Sequence, residues 1–284
     1  MTISNIFQIE LTNHCNLSCS YCPLPISDRP KGYMNEQTYL KILDYMEMTG
    51  QRLLVLHNFG EPLLHPELIR FVRIAFDRGF LPGFSSNGMA LTESKFTELL
   101  DAGLSFITIS IHSRKGAEIY EKILPMARQK HCLVKATAYT DTAVYFNQID
   151  TNVEVLEKHD WAGTAANAGP LSKIRNGHKR CDFIKRNFFT VQYNGTVCAC
   201  CFDERGSTKR GMIEDLKSIS HQDHYDLCKT CDGARLRFRS KLLYFIFNIT
   251  NKYKGRRKIL YHGVYGLRAL SHHMNRLKKV VKTV

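Results

Sequence analysis

The sequence predicts an α/β fold organised around a parallel sheet. Short aliphatic and β-branched runs alternate along the chain with amphipathic segments of ten or more residues, and that alternation gives parallel strands joined by right-handed crossovers. Size agrees: 284 residues, 44% hydrophobic and 23% charged, can bury one large core and carry an appendage.

Taken in order, residues 6–11 (IFQIEL) read as a first strand. Residues 35–48 read as a helix because Leu40, Ile42, Leu43 and Met46 recur at helical spacing. The apolar run 53–57 is a second, buried strand, followed by a helix at 66–76, a strand at 81–86 and a helix at 91–102. A strand at 106–111, a helix at 115–128, a strand at 133–138 and a helical stretch at 153–158 continue the series. No internal repeat, low-complexity tract or 18-residue apolar span interrupts it. Further on, Asn194-Gly195 stands between alternating apolar residues, the strongest short hairpin signal.

Charge is unevenly spread. Residues 235–284 contain 14 Lys and Arg and no Asp or Glu, so the whole formal charge of +14 lies in this tail. Its apolar run Leu242-Leu-Tyr-Phe-Ile-Phe247 is too short to span a bilayer. Leu260, Val264, Leu267, Met274, Leu277 and Val281 fall at helical spacing beside the basic residues. Such a helix can lie on an anionic membrane or cover a barrel with its basic edge in solvent. The tail lacks the repeated aromatic residues of single-stranded nucleic-acid binders, so no nucleic-acid partner is expected.

Ten cysteines accompany a start, residues 1–12, with no basic segment followed by a long apolar run. The expectation is a cytoplasmic protein, peripheral at most to the inner face of the membrane, whose cysteines bind metal. Three of them form a C-x3-C-x2-C loop directly after the first strand: Cys15-Asn-Leu-Ser-Cys19-Ser-Tyr21-Cys22. Soft thiolates select zinc, copper(I) or iron–sulfur clusters. Three on one loop can hold three irons of a [4Fe–4S] cube and leave the fourth open, whereas a structural site wants four protein ligands. His14 is the only imidazole nearby.

With Tyr21 before its last cysteine, the loop resembles the signature of the radical S-adenosylmethionine (SAM) enzymes. The resemblance implies that SAM chelates the open iron and is split to a 5′-deoxyadenosyl radical, the cofactors supplying the hard chemistry. Three further segments, each after a predicted strand, are similar to family motifs. Asn58-Phe59-Gly60-Glu61-Pro62 resembles the G-G-E-P motif, with Phe59 at the first glycine; Ser85-Ser86-Asn87-Gly88 resembles the T-N-G turn; Ser110-Ile111-His112-Ser113 stands where relatives show S-L-D-G. The implied SAM-binding residues are Tyr21, Gly60, Glu61, Pro62, Asn87 and Ser110. His112, Tyr139 and Asn167 are candidates to face the radical, with ordinary packing roles equally open.

A second constellation comprises Cys181, Cys198-Ala-Cys200-Cys201 after the hairpin glycine, and Cys228-Lys-Thr-Cys231. It resembles the auxiliary-cluster domain of the SPASM and Twitch families, which implies a second [4Fe–4S] cluster on Cys181, Cys200, Cys228 and Cys231. Spacing alone also suits a structural zinc. Strand alternation lets only one of Cys200 and Cys201 face the metal and makes Cys198, on the face of Cys200, the rival ligand. Cys132 reads as a small buried hydrophobe.

Together these imply a partial (β/α)6 TIM-like barrel over residues 1–170, a SPASM/Twitch-like domain of hairpin and helix over 171–233, and a basic helical tail over 234–284. The implied activity is oxidation or remodelling of a carbohydrate or cyclitol alcohol, with the auxiliary cluster accepting an electron and a flavodoxin- or ferredoxin-type protein as reductant. Peptide modification is the alternative within the family. A zinc-stapled, basic nucleic-acid-binding protein is the alternative outside it.

Overall fold

The computed structural model describes residues 4–146, 152–158, 161–165, 181–220, 222 and 224–231. In chain order the elements are β1 (Asn5–Ile9), α1 (Glu36–Met48), β2 (Leu53–Val55), α2 (Leu68–Asp77), β3 (Leu81–Ser86), α3 (Glu93–Asp101), β4 (Phe106–Ile111), α4 (Arg114–Gln129), β5 (Leu133–Tyr139), β6 (Val153–Leu156), α5 (Asp182–Lys185), β7 (Phe188–Val191), β8 (Thr196–Cys198) and β9 (Lys209–Met212). Helices α1, α3 and α4 begin where short polar side chains take up free main-chain N–H groups. Asn35 accepts from Thr38 N–H at 2.8 Å, Thr92 from Lys95 N–H at 3.1 Å and Ser113 from Gly116 N–H at 3.4 Å.

Strands β2 to β6 form a parallel sheet in sequential order. Alternation along a strand separates its two faces. In β4, Ile107, Ile109 and Ile111 are buried in the core shared with α3 and α4, while Thr108 and Ser110 lie half-buried on the other face. In β5, Val134, Ala136 and Ala138 join the core, and Lys135, Thr137 and Tyr139 take the opposite face. That polar inner face opens toward the carboxyl ends of the strands, where the loops carrying the motifs converge.

The stretch 153–158, expected to be helical, contains strand β6, paired in parallel with β5 from Ala136↔Val153 to Tyr139↔Leu156. In Val153-Glu-Val-Leu156 the two valines fit a period of two while Val153 and Leu156 fit helical spacing, and four residues are too few for periodicity to separate strand from helix. Asn167 and the basic tail lie outside the described residues.

The first strand departs from a simple barrel. β1 pairs in parallel with β7, giving a second sheet in the order β1-β7-β8-β9 whose other pairs are antiparallel. The expected boundary near residue 170 is therefore crossed by one sheet. Toward β2 the seam is closed by a side chain: Ile6 N–H donates to Gln51 Oε1 at 3.0 Å, and Gln51 Nε2 donates back to Ile6 O at 2.9 Å. A side-chain amide can offer an N–H donor and a C=O acceptor side by side, as a peptide group does, so buried Gln51 stands in for a missing strand residue.

Gln51→Ala leaves a buried N–H and C=O of Ile6 without these partners. The expected loss is about 2–6 kcal/mol, the sum of two unsatisfied groups, read as a lower midpoint in anaerobic urea unfolding. Gln51→Glu, which keeps only the acceptor, is expected to lose a substantial part of the same stability.

Candidate active site

The cysteine loop is held at both ends. Thr12 pairs with Tyr33 across an isolated bridge and its hydroxyl donates to Gly32 O at 2.7 Å. Asn13 donates to Pro30 O at 2.8 Å and accepts from Gly32 N–H at 2.9 Å, and Lys31 Nζ donates to Asn13 O at 3.0 Å. Between these anchors Cys15, Cys19 and Cys22 are half-buried, with a turn closed by Cys22 N–H on Cys19 O at 3.0 Å. Burial raises the pKa of Cys15 and pushes that of Cys22 up to about 11, and the neighbouring thiols add to both shifts. The three sulfurs thus share one small region and repel one another's charge; bound iron is the charge that would invert this and hold them as thiolates. Among the described residues no ligand set is already gathered around a single metal ion.

The next loop is pressed against this one. Gly60 has φ +82, and a Cβ there would meet Thr12 O at 2.1 Å, Asn13 Cα at 2.9 Å and His14 O at 2.9 Å. Only glycine fits this backbone-on-backbone approach. Glu61 N–H then donates to His14 O at 2.7 Å. The Glu61 carboxylate, 2% exposed, accepts from Leu63 N–H at 3.0 Å, the Ser86 hydroxyl at 2.8 Å and Asn87 N–H at 2.8 Å. Burial raises its pKa against the pull of those donors. Asn87 Nδ2 donates to Asn16 Oδ1 at 2.8 Å, which returns the chain of contacts to the cysteine loop. Pro62 starts a short turn of 3-10 helix. Phe59, in the place of a glycine, is buried with its ring 5.1 Å from that of Trp161.

Two of the three substrate-facing candidates meet the cysteine loop. The Tyr21 hydroxyl lies 2.7 Å from His112 Nδ1, and the Tyr21 and Tyr139 rings are 5.4 Å apart. Lys158, just past β6, stands 5.0 Å from the Tyr21 ring and 5.8 Å from that of Tyr139 and pairs with Asp141 at 2.5 Å. Burial, with Lys158 nearby, lowers the pKa of His112, and burial raises those of Tyr21 and Tyr139. All three are therefore neutral at pH 7. Ser110 is on the inner face of β4. Half-buried His57, next along, has its pKa lowered to about 4 by desolvation. Its Nδ1 accepts from Ser85 N–H at 3.0 Å, so Nε2 carries the proton, 3.4 Å from the Gln8 amide. Lys158 and Asn16 were not legible as site residues; reading β6 as a strand would have placed Lys158 at a strand end.

The second set of cysteines gathers around the end of the hairpin. β8 stops at Cys198, so strand alternation does not reach Cys200 and Cys201; their thiols are hydrogen-bonded to each other, the largest cause of the raised pKa of Cys200. Cys228 has its pKa raised by burial and then by Cys200 and Cys181, which brings these three thiols to one place. Cys231 N–H donates to Cys228 O at 3.4 Å, and the residue is buried. Cys201 packs with Cys181, Phe183 and Phe188, while Cys198 is fully buried within the sheet. Thiols neighbouring one another in this way suit an iron–sulfur cluster or zinc by donor type, with Cys231 brought near through its main-chain bond to Cys228.

Residues 9–132 match the family described as the Radical SAM superfamily, and the chain carries a radical SAM domain, whose cofactors are SAM and a [4Fe–4S] cluster. It is 34% identical over 104 residues, 36% of this chain and 29% of the relative, to the tungsten-containing aldehyde ferredoxin oxidoreductase cofactor-modifying protein of Pyrococcus furiosus. It is 22% identical over 270 residues, 85% of this chain and 98% of the relative, to the S-adenosyl-L-methionine-dependent 2-deoxy-scyllo-inosamine dehydrogenase of Niallia circulans. The crystal structure of BtrN in complex with AdoMet and 2-DOIA superposes with a TM-score of 0.59 at 21% identity, covering 82% of this chain and 87% of that one. The chain thus spans less than a third of the Pyrococcus relative and nearly all of the Niallia one.

Gly60→Ala forces the Thr12–His14 backbone away from the second loop. Displacing reacting groups by about 1 Å costs on the order of 100-fold in rate, so 5′-deoxyadenosine formation is expected to fall by about that factor while the auxiliary cysteines still take up metal. Anaerobic chromatographic assay and metal analysis read the two outcomes.

Proposed function

We propose that this radical SAM enzyme oxidises a secondary alcohol of a small cyclitol- or sugar-like substrate. When bound, the loop cluster and SAM supply a 5′-deoxyadenosyl radical that takes a hydrogen atom from the carbinol carbon, and an auxiliary cluster accepts the remaining electron. The observation that carries the reading is the pairing of two cysteine sets in one chain, one with three thiols and one with four, over a polar inner barrel face. Full-length similarity to a cyclitol dehydrogenase supports the substrate class.

The residues of the chain then divide the work. Cys15, Cys19 and Cys22 hold the loop cluster, and the main chain around Gly60 and Glu61, with Tyr21, Pro62, Asn87 and Ser110, forms the pocket for SAM. Thr108, Thr137 and Ser110 offer hydroxyl groups on the inner face, suited to a polyol. Neutral His112, its Nδ1 engaged with Tyr21 and its pKa lowered, is suited to take the hydroxyl proton as the carbonyl forms. Cys181, Cys200, Cys228 and Cys231 hold the auxiliary cluster; Cys200 is preferred to Cys201 because Cys228 and Tyr225 both sense it.

The basic tail supports a peripheral role at an anionic surface: fourteen cations without one acid, each contributing on the order of 1 kcal/mol near such a surface. No described helix is long and apolar enough to cross a membrane. A chain cut before Arg256 is expected to lose co-sedimentation with anionic vesicles and to keep SAM cleavage; vesicle binding that survives the cut contradicts this role.

Two measurements test the main reading. Iron analysis of the anaerobically reconstituted protein is expected to give about eight irons per chain, falling to about four in Cys200→Ala but not in Cys201→Ala. With 2-deoxy-scyllo-inosamine and other cyclitols supplied, 5′-deoxyadenosine and a carbonyl product are expected in equal amounts. Zinc in place of the second four irons, or deoxyadenosine without any carbonyl product across the panel, contradicts the reading.

A further inference from the structure

A buried charge triad joins the two cysteine regions. Glu10 directly follows β1, Arg29 lies seven residues past Cys22, and Glu204 lies in the loop between β8 and β9, three residues after Cys201. Arg29 grips Glu10 through both terminal nitrogens, Nη1 to Oε1 at 2.7 Å and Nη2 to Oε2 at 2.8 Å, and its Nε donates to Glu204 Oε1 at 3.2 Å. Ser27 also donates its hydroxyl to Glu204 Oε1, at 2.8 Å. The side chains of both glutamates are 0% exposed and that of Arg29 is 8% exposed. Burial pushes the Glu10 carboxyl up, but the two-pronged grip, in which both oxygens accept, keeps it the carboxylate.

Two carboxylates against one guanidinium leave the triad one negative charge in excess. Glu204 Oε2 is buried and accepts no hydrogen bond, an arrangement that stability alone does not favour, since replacing buried ion pairs by apolar groups is often neutral or stabilising. Ser27, which Glu204 holds, closes the short 3-10 turn Leu24–Ile26 that directly follows Cys22, its N–H donating to Leu24 O at 3.2 Å. The carboxylate that completes the environment of the first cysteine loop thus comes from the far end of the chain.

We propose that Glu204 is a positioning residue for the radical-generating loop: with Glu10 it fixes Ser27 and Arg29 on the segment leaving Cys22, and the triad's excess negative charge keeps the cluster on that loop strongly reducing. Reductive cleavage of SAM needs a low-potential cluster, and a buried negative charge disfavours adding an electron nearby. The inference rests on the radical reading above. It also gives the parallel β1–β7 pairing a role, because that pairing brings Glu10 and Glu204 to the same arginine.

The test is a redox titration of the loop cluster followed by low-temperature electron paramagnetic resonance, in wild type, Glu204→Gln and Glu204→Asp. Glu204→Gln is expected to keep the wild-type iron content, to shift the midpoint potential in the positive direction and to slow SAM cleavage; Glu204→Asp, which keeps the charge, is expected to stay near wild type. Should Glu204→Gln not fold, Glu10→Gln removes the same charge from the other end of the triad and is expected to shift the potential the same way. Unmoved potentials in the Gln variants of a fully loaded protein overturn the triad's role. A wild type that takes up no cluster at Cys15, Cys19 and Cys22 overturns the radical reading instead.

Discussion

Everything at the barrel mouth depends on one buried carboxylate and the glycine before it. Glu61 gathers Leu63 N–H, the Ser86 hydroxyl and Asn87 N–H, so the loops after β2 and β3 move as one piece. Gly60 lets that piece sit on the Thr12–His14 backbone, at a separation no side chain tolerates. The cysteine loop is thereby positioned by main chain on a rigid sheet. A reaction in which a radical must meet one carbon needs this kind of placement, because misplacement costs rate steeply.

Electrostatics ties metal binding at both cysteine sets to proton release. Burial and neighbouring thiols raise the pKa values of Cys15 and Cys22 in the first set and of Cys228 in the second, and the contact with Cys201, then burial, raises that of Cys200. As free thiols these groups are protonated at pH 7; cluster binding releases protons and couples assembly to pH. His112, Tyr21 and Tyr139 are likewise held neutral, in part by burial. Among the described residues, the buried Glu61 carboxylate and the Lys158–Asp141 pair are charges at the mouth.

Much of this was legible in the sequence, because the strongest signals are local. The C-x3-C-x2-C loop, Gly60-Glu61-Pro62, Asn87 and the strand-end His112 are each short motifs whose positions follow from βα alternation, and the structure brings them together. What was missed is non-local or short. β6 has only four residues, which fit either period. The pairing of β1 with β7 joins residues more than 180 positions apart, and Gln51 imitates a strand from a loop. The alternation argument for Cys200 and Cys201 assumed a strand that ends at Cys198. Glu10, Arg29 and Glu204 carry no motif; three charged residues far apart in sequence become a buried triad only once both sheets are in place.

The central claim is that three thiols on one loop hold the cluster that splits SAM. Anaerobic reconstitution followed by reduction in the presence of SAM, with chromatographic detection of 5′-deoxyadenosine, tests it most directly when run on wild type and on Cys15→Ala, Cys19→Ala and Cys22→Ala. The account requires deoxyadenosine from the wild type and none from any of the three variants, each of which keeps about four irons at the auxiliary site. Deoxyadenosine from a variant lacking one of these cysteines would contradict it.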